Sequence, residues 1–423
     1  MSSKPGIIIV GCALGAFAVA CSGSSPSASP PTDTRVGDTD SGAGTAAQLN
    51  DLSILFPLAH TSSEYATGYL SPSSSGARGE LLPRALYDAT SGIFGSAGDQ
   101  MPAPYANFRV VSMRVDPCFA ELAPSPHGDG CKNQIRLVVQ ELKLDGSGAS
   151  AFDSAIHLFY DLTREELAGV VRALVALRAS NSSGERLGAL APHPIMVKQG
   201  LTGAMAAGVR ALILSVAGKD NLSRITFMSG NAGSRWNFGT QDPPWIFEGY
   251  DVQAAGLVPM AIPTLPPDNG NLQFLIFSFT PALKGQAVSA TASADKLDPF
   301  FDPSSATVSL TPAQRAATYD SLLKIENPTT HSANTIDCVS CHIAHPLAKL
   351  VAEPKFSFSP TGNPRNFVPD GVSVLPNEMS ATFDDAGRLN VHAFSYDGTR
   401  PGISQRTVNE TAAIVAYVNA FAR

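Results

Sequence analysis

Positions 107–116 and 134–144 alternate between apolar and polar or run apolar, with many β-branched residues, as in Arg109-Val110-Val111-Ser112-Met113-Arg114-Val115 and Ile135-Arg136-Leu137-Val138-Val139. A period of two with that composition predicts strands. Ala155-Ile156-His157-Leu158-Phe159-Tyr160 predicts a third. The period then changes. Thr163 and Glu166 have capping-box spacing, and Leu167, Val170, Val171, Leu174 and Val175 fall on one helical face. Residues 200–217 read as a second amphipathic helix, with Met205, Val209, Leu212 and Ile213 inward and Gly218 as its stop. Strands are expected again at 222–229, 234–239 and 272–279. Strands, then helices, then strands predict an α+β domain with two amphipathic helices rather than a doubly wound sheet.

Residues 259–270 and 281–310 are rich in Pro, Ser, Ala and Asp, which places a boundary near residue 305. Beyond it the pattern turns mainly helical. Thr311-Pro312-Ala313-Gln314 opens a helix ending near Glu326, before Asn327-Pro328. Thr407-Val408-Asn409-Glu410 reads as another capping box, leading a stripe of Ile414, Val415, Val418 and Phe421. No internal repeat is evident.

Composition narrows the function class. The 423 residues are 44% hydrophobic, too apolar for a chain disordered throughout, and the net charge of −7 opposes a nucleic-acid binder. Length alone suggests two domains or three. Six cysteines, at 12, 21, 118, 131, 338 and 341, carry most of the remaining information. After Lys4, residues 6–20 are apolar or small throughout, too short to span a membrane comfortably and typical of a secretory signal. The run ends Ala18-Val19-Ala20-Cys21, which resembles the lipobox of bacterial lipoproteins, although Leu is more usual where Ala18 stands. That resemblance implies removal of residues 1–20 and lipidation of Cys21; the alternative is an ordinary signal peptide cleaved nearby. Residues 22–49 are dominated by Ser, Gly, Pro, Ala and Thr, as in a flexible tether. The layout becomes 1–20 signal, 21–50 lipidated cysteine and linker, 51–305 α+β domain, and 306–423 terminal domain. In an exported chain Cys118 and Cys131, flanking a loop with Pro124, Pro126 and Gly128, are expected to form a disulfide.

Cys338-Val339-Ser340-Cys341-His342 has the C-x-x-C-H spacing of covalent haem attachment. Two thiols so spaced reach the two vinyl groups on one porphyrin edge, and the adjacent histidine comes under the ring to meet iron. A zinc half-site, with His331 or His345 as further ligands, and a thioredoxin-like redox pair are the alternatives. Here residues 308–423 resemble a c-type cytochrome with one haem: a helix before the motif and a capped helix after it look like the paired terminal helices of that family. The resemblance implies thioethers at Cys338 and Cys341, His342 as proximal ligand, and haem c as cofactor. It departs from the family on the distal side. His331, His392 and Met379 compete there, as does an open site. His345, one turn after His342, lies on the wrong side of the ring. Phe356, Phe358, Phe367 and Phe394 are candidates to wall the haem, and the pattern fits ordinary core aromatics equally.

No G-x-S-x-G, H-E-x-x-H or P-loop motif occurs. His60, His127, His157 and His193 read as structural, and Trp236, Trp245, Phe238 and Phe247 as core aromatics. The whole layout resembles lipoproteins of myxobacterial type. The expectation is therefore an exported haem c protein of the cell envelope, held to the outer membrane by its lipid. It would transfer electrons to an unidentified redox partner protein, with 51–305 as docking domain. A haem-dependent oxidoreductase and an envelope sensor or binding protein with an accessory haem are the alternatives.

Overall fold

The computed structural model describes residues 46–90, 105–117, 132–182, 184, 186–230, 245–263, 271–276, 286–287, 297, 300, 307, 310–332, 335–368 and 390–421. Cys21, the Cys118–Cys131 pair, Met379 and the strand expected over 234–239 lie outside them. The core is an antiparallel sheet of ten strands among the described residues. They are β1 (Ser53–Leu55), β2 (Phe108–Asp116), β3 (Asn133–Asp145), β4 (Gly148–Ala151), β5 (Ser154–Leu162), β6 (Leu222–Ser229), β7 (Trp245–Gln253), β8 (Gly256–Pro259), β9 (Leu272–Ile276) and β10 (Gln286–Ala287). Their order is β1-β2-β3-β5-β6-β7-β9-β10, with β4 beside β3 and β8 beside β7. The expected strands at 107–116, 134–144, 155–160, 222–229 and 272–279 are all present, within a few residues at each end. Trp245 and Phe247, expected as core aromatics, are buried at the start of β7.

The α+β class holds. Helix α1 (Leu49–Leu52) precedes β1, and α2 (Arg164–Asn181) and α3 (Ala204–Val216) lie between β5 and β6. Thr163 caps α2 as its spacing predicts, accepting from Glu166 N while the Glu166 carboxylate accepts from Thr163 N. After the sheet come α4 (Pro312–Glu326), α5 (Cys338–Leu347), the hairpin β11 (Phe394–Asp397) and β12 (Arg400–Ile403), and α6 (Gln405–Phe421). Gly42–Arg423 form one compact unit, so this last stretch belongs with the sheet that it covers.

Directly opposed residues on neighbouring strands share a face, and successive residues alternate. One face carries Ile135, Leu137 and Val139 of β3, Ile156, Leu158 and Tyr160 of β5, and Ile225 and Phe227 of β6, all buried. The apolar stripes of α2 (Leu167, Val170, Leu174) and α3 (Met205, Val209, Ile213) are buried in the same core. The other face is polar in rows. Arg114, Arg136, Phe159, Arg224 and Asp251 face one another across five strands, and Ser112, Val138, His157, Thr226 and Gly249 form the next row. Met228, Phe247 and Gln273 form the third.

The C-terminal stretch docks on that polar face through directional bonds. Ser112 Oγ donates to the Phe394 carbonyl (2.9 Å), and Gln140 Nε2 donates to the Tyr396 carbonyl (2.6 Å) while its Oε1 accepts from Tyr396 N (3.1 Å). Tyr396 OH donates to the Phe56 carbonyl at 2.7 Å. Arg114 pairs with Glu410 of α6 at 2.8 Å. Helix α6 begins three residues before the expected start. Ser404 Oγ accepts from Thr407 N (3.2 Å), so Ser404 stands where the sequence places Thr407. Glu410 is thereby released from a capping role, and it bridges Arg114 of the sheet to Arg406 of its own helix. Arg406 also donates to the Ile325 carbonyl (2.8 Å), and Asn409 to the Glu326 carbonyl (2.9 Å), which fastens α6 across the end of α4.

Candidate functional site

The C-x-x-C-H residues occupy the first turns of α5. Spacings of three and four place Cys338, Cys341 and His342 on one side of a helix. Val339, Ser340, Ile343 and Ala344 are buried around the rest of it. Asp337 caps this helix, its carboxylate accepting from Ser340 N at 2.9 Å. A sheet residue completes the cap. Gln273 Nε2 donates to Asp337 Oδ1 (2.9 Å), and Gln273 Oε1 accepts from Val339 N (3.1 Å). A single buried amide on β9 therefore fixes both the cap and the first turn of the motif helix. Fully buried hydrogen-bond networks of this kind specify position strongly, because leaving any member unpaired is costly.

His342 projects toward the polar face of the sheet. Its Nδ1 lies 2.7 Å from the Val391 carbonyl. A carbonyl oxygen can only accept, so Nδ1 carries the proton and Nε2 keeps its lone pair. Burial pushes the imidazole pKa down to about 4, against the raising effect of the Val391 bond. The ring is neutral at physiological pH, with one nitrogen held and the other ready to ligate. Such a carbonyl contact is the usual way in which a metal-binding histidine is oriented from behind. Phe247 of β7 meets the ring at 5.1 Å between centroids, and His157 of β5 lies near-parallel to it at 6.2 Å and 23°. Burial, and next the neighbouring His342, hold His157 well below the ordinary imidazole range, so it too is neutral.

The two thiols are free and partly accessible. Burial, and next Asp337 and Cys341, push the Cys338 thiol up to about 12; burial raises Cys341 as well. A disulfide oxidoreductase depends on the opposite shift, a stabilised thiolate. Among the described residues no three His, Cys, Asp or Glu side chains gather closely enough to hold a metal ion. The closed tetrahedral ligand set of a structural zinc site is therefore not formed by Cys338, Cys341 and His342. Protonated thiols beside one oriented imidazole fit a haem, whose vinyl carbons and iron are reached at separate points.

The other candidate residues have distinct places. His331 lies after α4, its carbonyl accepting from Arg406 (2.6 Å) and its ring 3.5 Å from the Thr335 hydroxyl. His392 is sealed at 1% exposure, with Nδ1 2.9 Å from Ser395 Oγ and Nε2 3.7 Å from Asp153 Oδ1. Trp245 packs edge-on against it at 5.6 Å. His345 turns toward Glu326, 3.4 Å away. The expected aromatic wall is arranged differently. Phe356 stacks on Phe300 (5.3 Å) and Phe358 on Tyr319 (4.9 Å), so both belong to packing beside α4. Among the described residues, Phe247 and His157 are the rings that meet His342. Sequence reasoning missed Gln273, Phe247 and His157, which become part of one site only through strand register.

Ser395, His392 and Asp153 align in the order of a hydrolytic triad, yet Ser395 is 2% exposed and offers a substrate no approach. Among the described residues no helix is long and apolar enough to cross a membrane. No family model, curated protein or solved structure matches the chain.

Proposed function

We propose that this protein is an exported, lipid-anchored haem c protein that carries single electrons in the cell envelope, with residues 306–423 as a cytochrome c-like haem-bearing segment. The observation that carries this reading is the 2.7 Å bond from His342 Nδ1 to the Val391 carbonyl, which leaves Nε2 unprotonated beside two free thiols on the same helix. Cys338 and Cys341 would each add across one vinyl group, sulfur bonding to one carbon and the thiol hydrogen passing to the other. Nothing leaves and no oxidant is consumed. Haem c, once bound, supplies one-electron exchange at iron.

The chain's own residues would do the rest. Asp337 and Gln273 set the helix that presents both sulfurs, Val391 fixes the tautomer and plane of His342, and Phe247 walls the ring. Hydrolysis at Ser395, His392 and Asp153 is disfavoured because that nucleophile–base alignment is closed to solvent. Lipidation of Cys21 would hold the chain at the outer membrane, and the 51–305 part would meet a redox partner protein. The full chain, exported together with cytochrome c maturation machinery, is expected to keep its haem after denaturation in pyridine haemochrome form. Replacing Cys338 and Cys341 by Ala should abolish that retention. Release of all haem from the unaltered chain on denaturation would sink the proposal.

A further inference from the structure

The ring of His342 meets the sheet beside another imidazole, that of His157. We infer that His157 is the second axial ligand of the haem, an assignment that rests on the haem reading above. Imidazole nitrogens ligate first-row metals at about 2 Å, and a ring centroid lies roughly 1 Å behind its nitrogen, so two imidazoles on opposite sides of one metal hold their centroids about 6 Å apart. The His157 and His342 centroids are 6.2 Å apart with planes 23° from parallel. His342 already has Nδ1 committed to Val391. No hydrogen bond to a described residue engages either nitrogen of His157.

The mounting suits a ligand. His157 stands mid-strand on β5, between Val138 on β3 and Thr226 on β6, so its backbone is held on both sides. The rival groups are placed less well. His392 is 1% exposed, with Trp245 edge-on against it and its Nε2 facing Asp153 Oδ1 at 3.7 Å. Met260 is buried over Gly249, two strands away from His157 on the same face: a Cβ built on Gly249 would lie 2.7 Å from the Met260 methyl. Histidines on both sides leave no position for a small molecule and hold the potential below that of a Met-ligated haem. Electron carriage, rather than catalysis or gas sensing, follows from that pairing.

The test uses the full-length, haem-loaded protein and reads its spectrum. The unaltered protein is expected to be six-coordinate and low-spin, and inert to CO when reduced. His157→Gly should become high-spin and bind CO, and added imidazole should restore the low-spin spectrum. His157→Met supplies a second readout that tolerates poor loading of the glycine variant: it should gain the near-infrared band of Met-ligated ferric haem and a raised potential. Met260→Leu, Met379→Leu and His331→Ala should keep the unaltered spectrum. A low-spin, CO-inert His157→Gly protein overturns the assignment, as does an unshifted His157→Met spectrum or CO binding by the unaltered protein. Absence of covalent haem from the unaltered chain is a different result, which removes the haem reading itself and this assignment with it.

Discussion

On one face of the sheet, α2 and α3 bury Leu174, Val209 and Ile213 in a core with Leu137, Leu158 and Ile225. On the other face, Arg114, Arg136 and Arg224 stand in a row, and each has a carboxylate: Glu410 at 2.8 Å, Asp116 at 2.9 Å and Asp251 at 2.6 Å. Apolar burial is strong and non-directional, so the first face contributes stability without needing any one alignment. Ion pairs and amide bonds contribute little net stability once desolvation is counted, but they are directional. The second face therefore spends its side chains on placement. It is the face that meets the C-x-x-C-H helix, and His157, Phe247 and Gln273 all lie on it.

The largest expected effect breaks the apolar side alone. Leu174→Ala deletes a fully buried side chain from α2 and should cost about 3 kcal/mol by urea unfolding. The comparison holds only if the haem spectrum of that variant is unchanged. Next comes Arg114→Met, which leaves Glu410 paired with Arg406 alone. Because the Glu410 side chain keeps 20% exposure, the loss should be near 2 kcal/mol. Unlike the leucine change, it should also expose the C-terminal stretch to limited proteolysis ahead of the sheet. Equal protease resistance in the two variants would mean that the polar face does not fix docking.

The smallest effect at neutral pH concerns acid. His193 is fully buried with neither ring nitrogen hydrogen-bonded, and burial lowers its pKa to about 4. The unfolded chain binds that proton below about pH 6.5 while the folded chain does not, so stability falls as pH drops from 6.5 toward 4. Glu410 adds a loss at lower pH. Burial alone would raise its pKa, but Arg406 and Arg114 outweigh burial and hold it low, and its contribution disappears as acid protonates the folded carboxylate. His193→Leu should make the upper part of this acid slope shallower, the buried His157 and His342 supplying the rest, and leave the lower part, as followed by unfolding midpoints between pH 4 and 7.

The strands and main helices were legible because their periods are local: β3, β5, β6, α2 and α4 lie close to where hydropathy and capping place them. The spacing of Cys338–His342 is contiguous, and the structure adds that these residues share one side of a helix. What the sequence hid is set by register. His157 looks like an isolated strand histidine until pairing with Val138 and Thr226 puts it on the polar face, and Gln273 gains its meaning from a helix cap some sixty positions later. Thr407 and Glu410 have capping-box spacing, yet Ser404 takes the cap because Glu410 finds Arg114 across the sheet. Local spacing lost there to a tertiary ion pair. Of the two readings open for Phe356 and Phe358, core packing is the one seen, through Phe300 and Tyr319, flat partners that a linear pattern does not reveal.

The central claim is that Cys338, Cys341 and His342 hold a covalent haem against the polar face. It is tested most directly by intact mass of the denatured full-length protein after export with cytochrome c maturation machinery. The expected result is one haem per chain, lost when Cys338 and Cys341 are both replaced by Ala. A chain of unaltered mass, with both thiols free to react with an alkylating reagent, would contradict it.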